Sequence, residues 1–293
     1  MRKLPAFLVA IALFSPVAFA KTTIGLSVST LNNPFFVALR DGATAAANKA
    51  GADLIVLDAQ NRADKQIGDI EDLITRKVSV ILINPTDSDA VVGAIQKANA
   101  AKIPVITVDR SANGGMIAYH IASDNIAGGK MAGEYIKKML GGKGNLVELV
   151  GVPGTSAARD RGAGFNSVVK ATPGFKIVAS QPADFDRAKG LTVMENILQA
   201  QPDIAAVFAH NDEMALGAVQ AIKGSNRKIM VVGFDATDDA LAAVKAGTMA
   251  ATVQQQPEEI GRLGVVRALY IVRTGKVPAK TINVPVPLRL VTK

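Results

Sequence analysis

Ten short runs rich in Val, Ile, Leu and Ala recur along the chain, at 23–28, 53–57, 78–83, 104–108, 118–122, 145–150, 175–179, 204–208, 228–233 and 249–253. They are apolar at consecutive rather than alternate positions, the pattern of a strand covered on both faces in a parallel sheet. The stretches between them carry apolar residues at helical spacing. Ile67, Ile70, Leu73 and Ile74 fall at i, i+3, i+6 and i+7, as do Leu191, Met194, Ile197 and Leu198. Gly247 follows the 238–246 pattern and Gly224 the 213–223 pattern, where a C-terminal cap belongs. This alternation points to α/β architecture with open parallel sheets and helices on both faces. Five runs precede about residue 123 and five follow it, so two similar doubly wound parallel-sheet domains are expected. A chain of 293 residues is long enough for both. A helix at about 258–273 and a strand-like segment at 284–291 lie beyond the tenth run and can return to either sheet, so the domains can be discontinuous.

The first twenty residues read as a targeting segment. Arg2 and Lys3 precede an apolar run of nine residues, Ala6 to Phe14, and Ala18-Phe19-Ala20 matches a leader-peptidase site. The run is too short to span a bilayer, so an exported, periplasmic chain cleaved after Ala20 is expected. The chain has no Cys, which excludes disulfides, thiolate metal sites and a Cys nucleophile. With only His120 and His210 as imidazoles, no metal site and no cofactor are expected. His120, inside a strand pattern, reads as structural. The formal charge of +8 is spread over scattered Lys and Arg without aromatic interleaving, so no nucleic-acid partner is expected. Gly129-Lys130 lacks the Ser or Thr of a phosphate loop, and Gly151-Val152-Pro153-Gly154 lacks dinucleotide-binding spacing.

Open α/β sheets bind ligands beyond the carboxyl ends of their strands. Those positions hold Ser29, Asp58, Asn84, Asp109-Arg110, Asp124, Asn211-Asp212, Asp235 and Gln255. Short polar residues there also cap helices and shape turns, the role assigned to Asp58 and Asp212. Arg110 fits no such role, because a long cation at a strand exit is no cap.

Eight motifs then occur in order: STLNNPFF at 29–36, INPTDSD at 83–89, VDR at 108–110, HIASDN at 120–125, GTSAARDRG at 154–162, QPADFDR at 181–187, NDEMALG at 211–217 and VGFD at 232–235. Together they resemble the ribose-binding proteins of ABC importers, within the periplasmic binding protein type I family, across essentially the whole chain after residue 20. The resemblance implies a clamp of two domains joined by three crossings near 123–124, 255–256 and 284–285, with the ligand cleft between them. It divides the chain into 21–123 plus 256–284, and 124–255 plus 285–293. It places Ser29, Asn33, Phe35, Phe36, Asn84, Asp109 and Arg110 at the site from the first domain, and Arg161, Phe185, Asn211 and Asp235 from the second. Gln255 sits at a crossing. The implied partners are D-ribose or a similar monosaccharide and the membrane permease of an ABC importer, with a chemoreceptor as a further candidate and the chain itself a monomer. Allose, another pentose or a furanose-like signal are the alternative ligands. One departure is His210, where the family pattern has Gln; it is expected behind the pocket or at its rim.

The residues carry the same chemistry. Sugar hydroxyls donate and accept, carboxylates and amides answer them, and guanidinium forks match vicinal oxygens. Asp109, Asp235, Arg110 and Arg161 sum to zero formal charge, which suits a neutral sugar and not a phosphorylated one. Phe35, Phe36 and Phe185 would cover its apolar faces. A glycosidase pair needs one carboxyl with a raised pKa, and the two arginines are expected to lower both. A sugar-responsive repressor of the lac type, which shares this fold, needs a helix-turn-helix ahead of the first strand, where this chain has only the leader-like segment.

Overall fold

The computed structural model describes residues 21–293, so the leader-like segment lies outside the described residues. The first part of the chain forms β1 (Thr23–Val28), α1 (Pro34–Lys49), β2 (Asp53–Asp58), α2 (Ala63–Thr75), β3 (Val80–Ile83), α3 (Val92–Ala100), β4 (Val105–Val108) and β5 (Tyr119–Ser123). There follow α4 (Asn125–Leu140), β6 (Lys143–Val150), α5 (Ser156–Lys170), β7 (Gly174–Pro182), α6 (Arg187–Ala200), β8 (Ala206–Ala209), α7 (Asp212–Gly224), β9 (Met230–Asp235), α8 (Asp238–Ala246) and β10 (Ala251–Gln254). The chain ends with α9 (Pro257–Thr274), β11 (Ile282–Val286) and β12 (Arg289–Thr292).

All ten apolar runs are strands, and they form two sheets of one design. The orders are β11-β5-β4-β3-β1-β2 and β12-β10-β9-β8-β6-β7, parallel throughout except for the β10–β12 pair. In both, the order reverses beside the first strand of the unit, which opens a crevice at the carboxyl ends. The central strands are buried along their whole length, as Val80–Ile83 and Val105–Val108 show. Helices α1 and α9 cover one face of the first sheet and α2 and α3 the other. Helices α6, α7 and α8 cover one face of the second, α4 and α5 the other.

Three details differ from expectation. No helix joins β4 to β5; residues 109–118 form a loop that carries Asp109 and Arg110. The segment 284–291 is two strands rather than one. β11 continues to Val286 beside Ser123, and after Pro287-Leu288 β12 pairs with β10 in the other sheet, so the last crossing falls later than 284–285. Gly224 is the last residue of α7 rather than its cap, and the helix ends on the right-handed Ser225, whose backbone N–H donates to the Ala221 and Ile222 carbonyls. Gly247 is a left-handed cap at φ 82°, as its position suggested. Asp124 caps α4 by accepting from the Ala127 amide at 2.9 Å, and the Asp58 carboxylate holds a turn by accepting from Gln60 N–H.

Gly129 of the Gly129-Lys130 pair serves helix packing. It lies where α4 crosses α5, and a Cβ there would collide with the Arg161 carbonyl and the Phe165 amide. Gly129→Ala is therefore expected to push away the helix that carries Arg161, at a cost of about 1–3 kcal/mol for overpacking. Gly68, exposed in α2 with open space around it, is the comparison; Gly68→Ala should leave stability equal or raise it by up to ~1 kcal/mol. Urea unfolding of both variants without ligand measures the difference.

Candidate ligand-binding site

The carboxyl ends of the two sheets face each other across a small cavity. Asn33, Phe35, Phe36, Asp109, Arg110, Arg161, Phe185, Asn211, Asp235 and Gln255 line it, with Ala157. Ten of the twelve residues assigned by resemblance thus meet around one void. The other two stand behind it. Asn84 is fully buried; its amide donates to Asp109 Oδ2 at 3.1 Å and to the Val108 carbonyl, and its oxygen accepts from Ser29 N–H. Asn84 therefore aims Asp109, and Ser29 lies a layer deeper. A larger groove of about 1350 Å³ runs between α1 and α9 on one side and Glu213 and 235–239 on the other, but of the assigned set it reaches only Phe35, Asp235 and Gln255. The charged and aromatic residues converge on the small cavity.

Helix starts place several of the side chains. Asn33 caps α1 by accepting from Phe35 N–H at 2.9 Å, and Pro34 at the first helical position fixes the entry of Phe35 and Phe36. Asn211 caps α7 at 3.0 Å and donates to the Phe185 carbonyl at 3.2 Å. Thr155 caps α5, whose second turn carries Arg161. Three lining residues occupy backbone that L-residues rarely adopt: Asp109 at φ 64°, Phe185 at 58° and Asp235 at 121°. Such strain gathers where a site over-determines its geometry.

All four charged residues are almost fully buried. Arg110 Nε lies 3.7 Å from Asp109 Oδ2, and Arg161 Nη1 3.7 Å from Asp235 Oδ1. Arg161 Nε donates to Asn125 Oδ1 at 2.8 Å, Nη1 donates to the His210 carbonyl at 2.6 Å, and the guanidinium stacks 3.8 Å from the Phe234 ring centroid. Arg110 lies between Phe36 and Phe185, 5.0 and 5.2 Å from their centroids. Asp109 Oδ1, Arg110 Nε and Gln255 Oε1 are buried without a hydrogen-bond partner among the described residues. Asn125, Phe234 and Ala157 were not assigned from sequence; no spacing distinguishes them from ordinary helix and strand residues.

Burial decides the protonation energetics, contrary to the expected lowering of both carboxyls. It pushes Asp109 up against the pull of Arg110, Arg161 and the Asn84 hydrogen bond. Asp235 is also raised, by burial first, with nearby Asp212 adding to it and Arg161 opposing it. The same burial lowers Arg110 to about 10 and also lowers Arg161. His120 is lowered to about 4 by burial and shares a hydrogen bond with the Thr107 hydroxyl, as a structural histidine would.

Asp212 has the structural role assigned to it, but it holds a turn distant in sequence rather than its own. Fully buried at the start of α7, it accepts from Thr252 Oγ1 at 2.7 Å and from Thr237 N–H at 2.8 Å, and so secures the strained turn after Asp235. Burial raises its pKa to about 7 despite those hydrogen bonds. A raised folded-state pKa means that the native state holds the proton more tightly than the unfolded chain does. That contribution to stability is complete below about pH 4 and is lost as pH rises through about 7. Asp235 acts in the same direction. His120 and His210, both lowered by burial, act the other way and cost stability below about pH 6.5, so the test is differential. Between pH 5 and pH 8 the melting temperature of ligand-free Asp212→Asn, neutral throughout, should rise relative to the parent's; an equal change in both would remove Asp212 from the account.

Comparison with known proteins agrees with this geometry. A model of the periplasmic binding protein domain matches residues 24–276. The chain is 53% identical to the ribose import binding protein RbsB of Haemophilus influenzae over 100% of both chains, and 54% identical to that of Bacillus subtilis over 91% of this chain and 86% of the other. The structure of a Caulobacter myo-inositol binding protein bound to myo-inositol superposes with a TM-score of 0.88 at 34% identity, covering 92% of this chain and 93% of that one. Two sheets of identical strand order, a buried polar cavity between them and these matches lead to one conclusion: the chain belongs to the periplasmic binding protein family.

Proposed function

We propose that the chain captures D-ribose between its two domains in the periplasm and hands it to the membrane permease of an ABC importer. The observation that carries this reading is the set of buried polar atoms at the cavity that find no partner among the described residues: Asp109 Oδ1, Arg110 Nε and Gln255 Oε1. Each such group costs ~1–3 kcal/mol when left unpaired. Two acceptors and one donor, flanked by Phe35, Phe36 and Phe185, are what a ring of hydroxyls with apolar faces can satisfy. Zero formal charge across the two carboxyls and two guanidiniums argues against phosphate or carboxylate on the ligand. The relatives are named as import binding proteins, which supports carriage without turnover. In this reading the chain works as a monomer released by cleavage after Ala20.

The cavity measures about 10 Å³, room for about one water. A sugar therefore enters when the domains part. Three chain crossings, after Ser123, after Gln254 and after Val286, supply the hinge. At the rim, Ser88 N–H donates to the Gly154 carbonyl at 3.0 Å and Ser111 N–H to Ser156 Oγ at 2.9 Å, so closure brings its own polar contacts.

A thermal-shift panel tests the assignment, because a ligand bound only by the folded state raises its melting temperature. D-ribose should raise it more than allose, arabinose, glucose, galactose or ribose 5-phosphate; a larger shift with any of these reassigns the ligand. Arg161→Ala should weaken ribose binding in titration calorimetry by about ten- to a hundredfold, the equivalent of ~1.5–3 kcal/mol for a hydrogen bond to a charged group. It should also melt a few degrees lower, because Asn125 Oδ1 and the His210 carbonyl lose their donor and Phe234 its covering cation. Arg159, exposed and paired with Asp160, should tolerate alanine with little change in either measurement.

A further inference from the structure

Behind Arg161 and Phe185 lies a polar cluster that does not line the cavity. Glu148 of β6 is buried, and its carboxylate accepts from His210 Nε2 at 3.0 Å, from Ser180 Oγ at 2.8 Å and from Asn166 Nδ2 at 3.1 Å. His210, with no exposed surface, accepts at Nδ1 from the Gly151 amide at 3.3 Å. A backbone N–H can only donate, so Nδ1 carries no proton and the imidazole is the Nε2–H tautomer, donating to Glu148. Gly162 lets α5 pass over the pair, since a Cβ there would crowd Glu148 Oε1 and the His210 ring.

Both ends of His210 lead to the cavity. Its ring holds the Gly151 amide, and Gly151 is the shelf on which Phe185 rests: a Cβ there would run into the Phe185 ring. Its carbonyl accepts from Arg161 Nη1 at 2.6 Å. One residue outside the cavity thus fixes both an aromatic face and a guanidinium of the site. We infer that His210, oriented by Glu148, is a positioning residue for ligand binding, setting the Phe185 shelf through its ring and Arg161 through its carbonyl.

The role in sugar binding rests on the ribose reading above, and the test separates the two. A glutamine can imitate both hydrogen bonds of this tautomer, its oxygen accepting from Gly151 and its amide donating to Glu148, whereas leucine keeps comparable bulk and neither bond. In calorimetry with D-ribose, His210→Gln should bind within about threefold of the parent. His210→Leu should bind about tenfold or more weakly, the fold-change expected for a lost buried hydrogen bond, while still melting cooperatively. Leucine at parent affinity, or glutamine as weak as leucine, would overturn the inference. The second measurement needs no variant of His210. Nitrogen-15 imidazole spectra of the parent, which has only two histidines, with His120 assigned from a His120→Gln sample, should show His210 as neutral Nε2–H at pH 7 with and without ribose. The Nδ1–H tautomer or an imidazolium would overturn the inference even if the leucine variant fails to fold. A parent that shows the Nε2–H tautomer but does not bind ribose would defeat the ribose reading, and with it the role in sugar binding, while leaving the hydrogen-bond chain standing.

Discussion

Everything at the site follows from burying four charged side chains where two sheets meet. An isolated carboxylate or guanidinium taken from water into protein costs several kcal/mol, and only good pairing offsets it. Each domain here brings its own pair: Asp109 with Arg110 from the loop after β4, and Asp235 with Arg161 from β9 and α5. Because the pairs lie within domains, parting the two halves breaks neither. What opening gives up are cross-domain contacts: the attraction between Asp109 and Arg161, the Arg110–Phe185 stacking and the rim hydrogen bonds of Ser88 and Ser111. A clamp built this way separates without exposing an unpaired ion, so the ligand's contacts can decide whether it stays shut.

The site stores strain as well as charge. Asp109, Phe185 and Asp235 stand at positive φ, and Ala236 follows at 62°. Each such residue costs of order 1–3 kcal/mol unless its surroundings hold it, and the surroundings do so by hydrogen bonds. Asn84 takes the Asp109 carboxylate, Asn211 the Phe185 carbonyl, and Asp212 with Thr252 grips Ala236 and Thr237. These residues do for the backbone what the paired charges do for the side chains. They explain why polar residues unable to reach the cavity cluster just behind it.

The fold was legible because its signals are local. Consecutive apolar residues mark buried strands, and Asp124 and Gly247 mark helix ends through chemistry confined to a few neighbouring residues. The segment 284–291 misled for the same reason: β-like residues on both sides of Pro287-Leu288 look continuous in sequence, and only pairing with separate sheets divides them. The site was legible in another way. Strand exits pointed to Ser29, Asn84, Asp109, Arg110, Asn211, Asp235 and Gln255, with Arg110 standing out as a cation, while Asn33, Phe35, Phe36, Arg161 and Phe185 came from motif resemblance; neither signal says which residues reach the void. Ser29 and Asn84 differ from Asp109 only in depth, and depth is a tertiary property. The rise of the Asp109 and Asp235 pKa values escaped sequence reasoning because nearby arginines are visible in the motifs, whereas the desolvation that outweighs them is not.

The hinge and the site are one structure rather than neighbours. Gln255 lies on the crossing from β10 to α9, between a strand of one domain's sheet and the helix that returns to the other. Its amide donates to Asp235 Oδ1 at 2.8 Å, its backbone N–H donates to the Asp235 carbonyl at 3.1 Å, and its own side-chain oxygen has no partner among the described residues. A hydroxyl bound there would touch the crossing itself, so bending the hinge would move one of the ligand's contacts. Such coupling lets contacts at one end of the cavity favour the angle at which Arg110 and Phe185 meet at the other. Affinity and closure would then share a common geometric origin in Gln255 and Asp235.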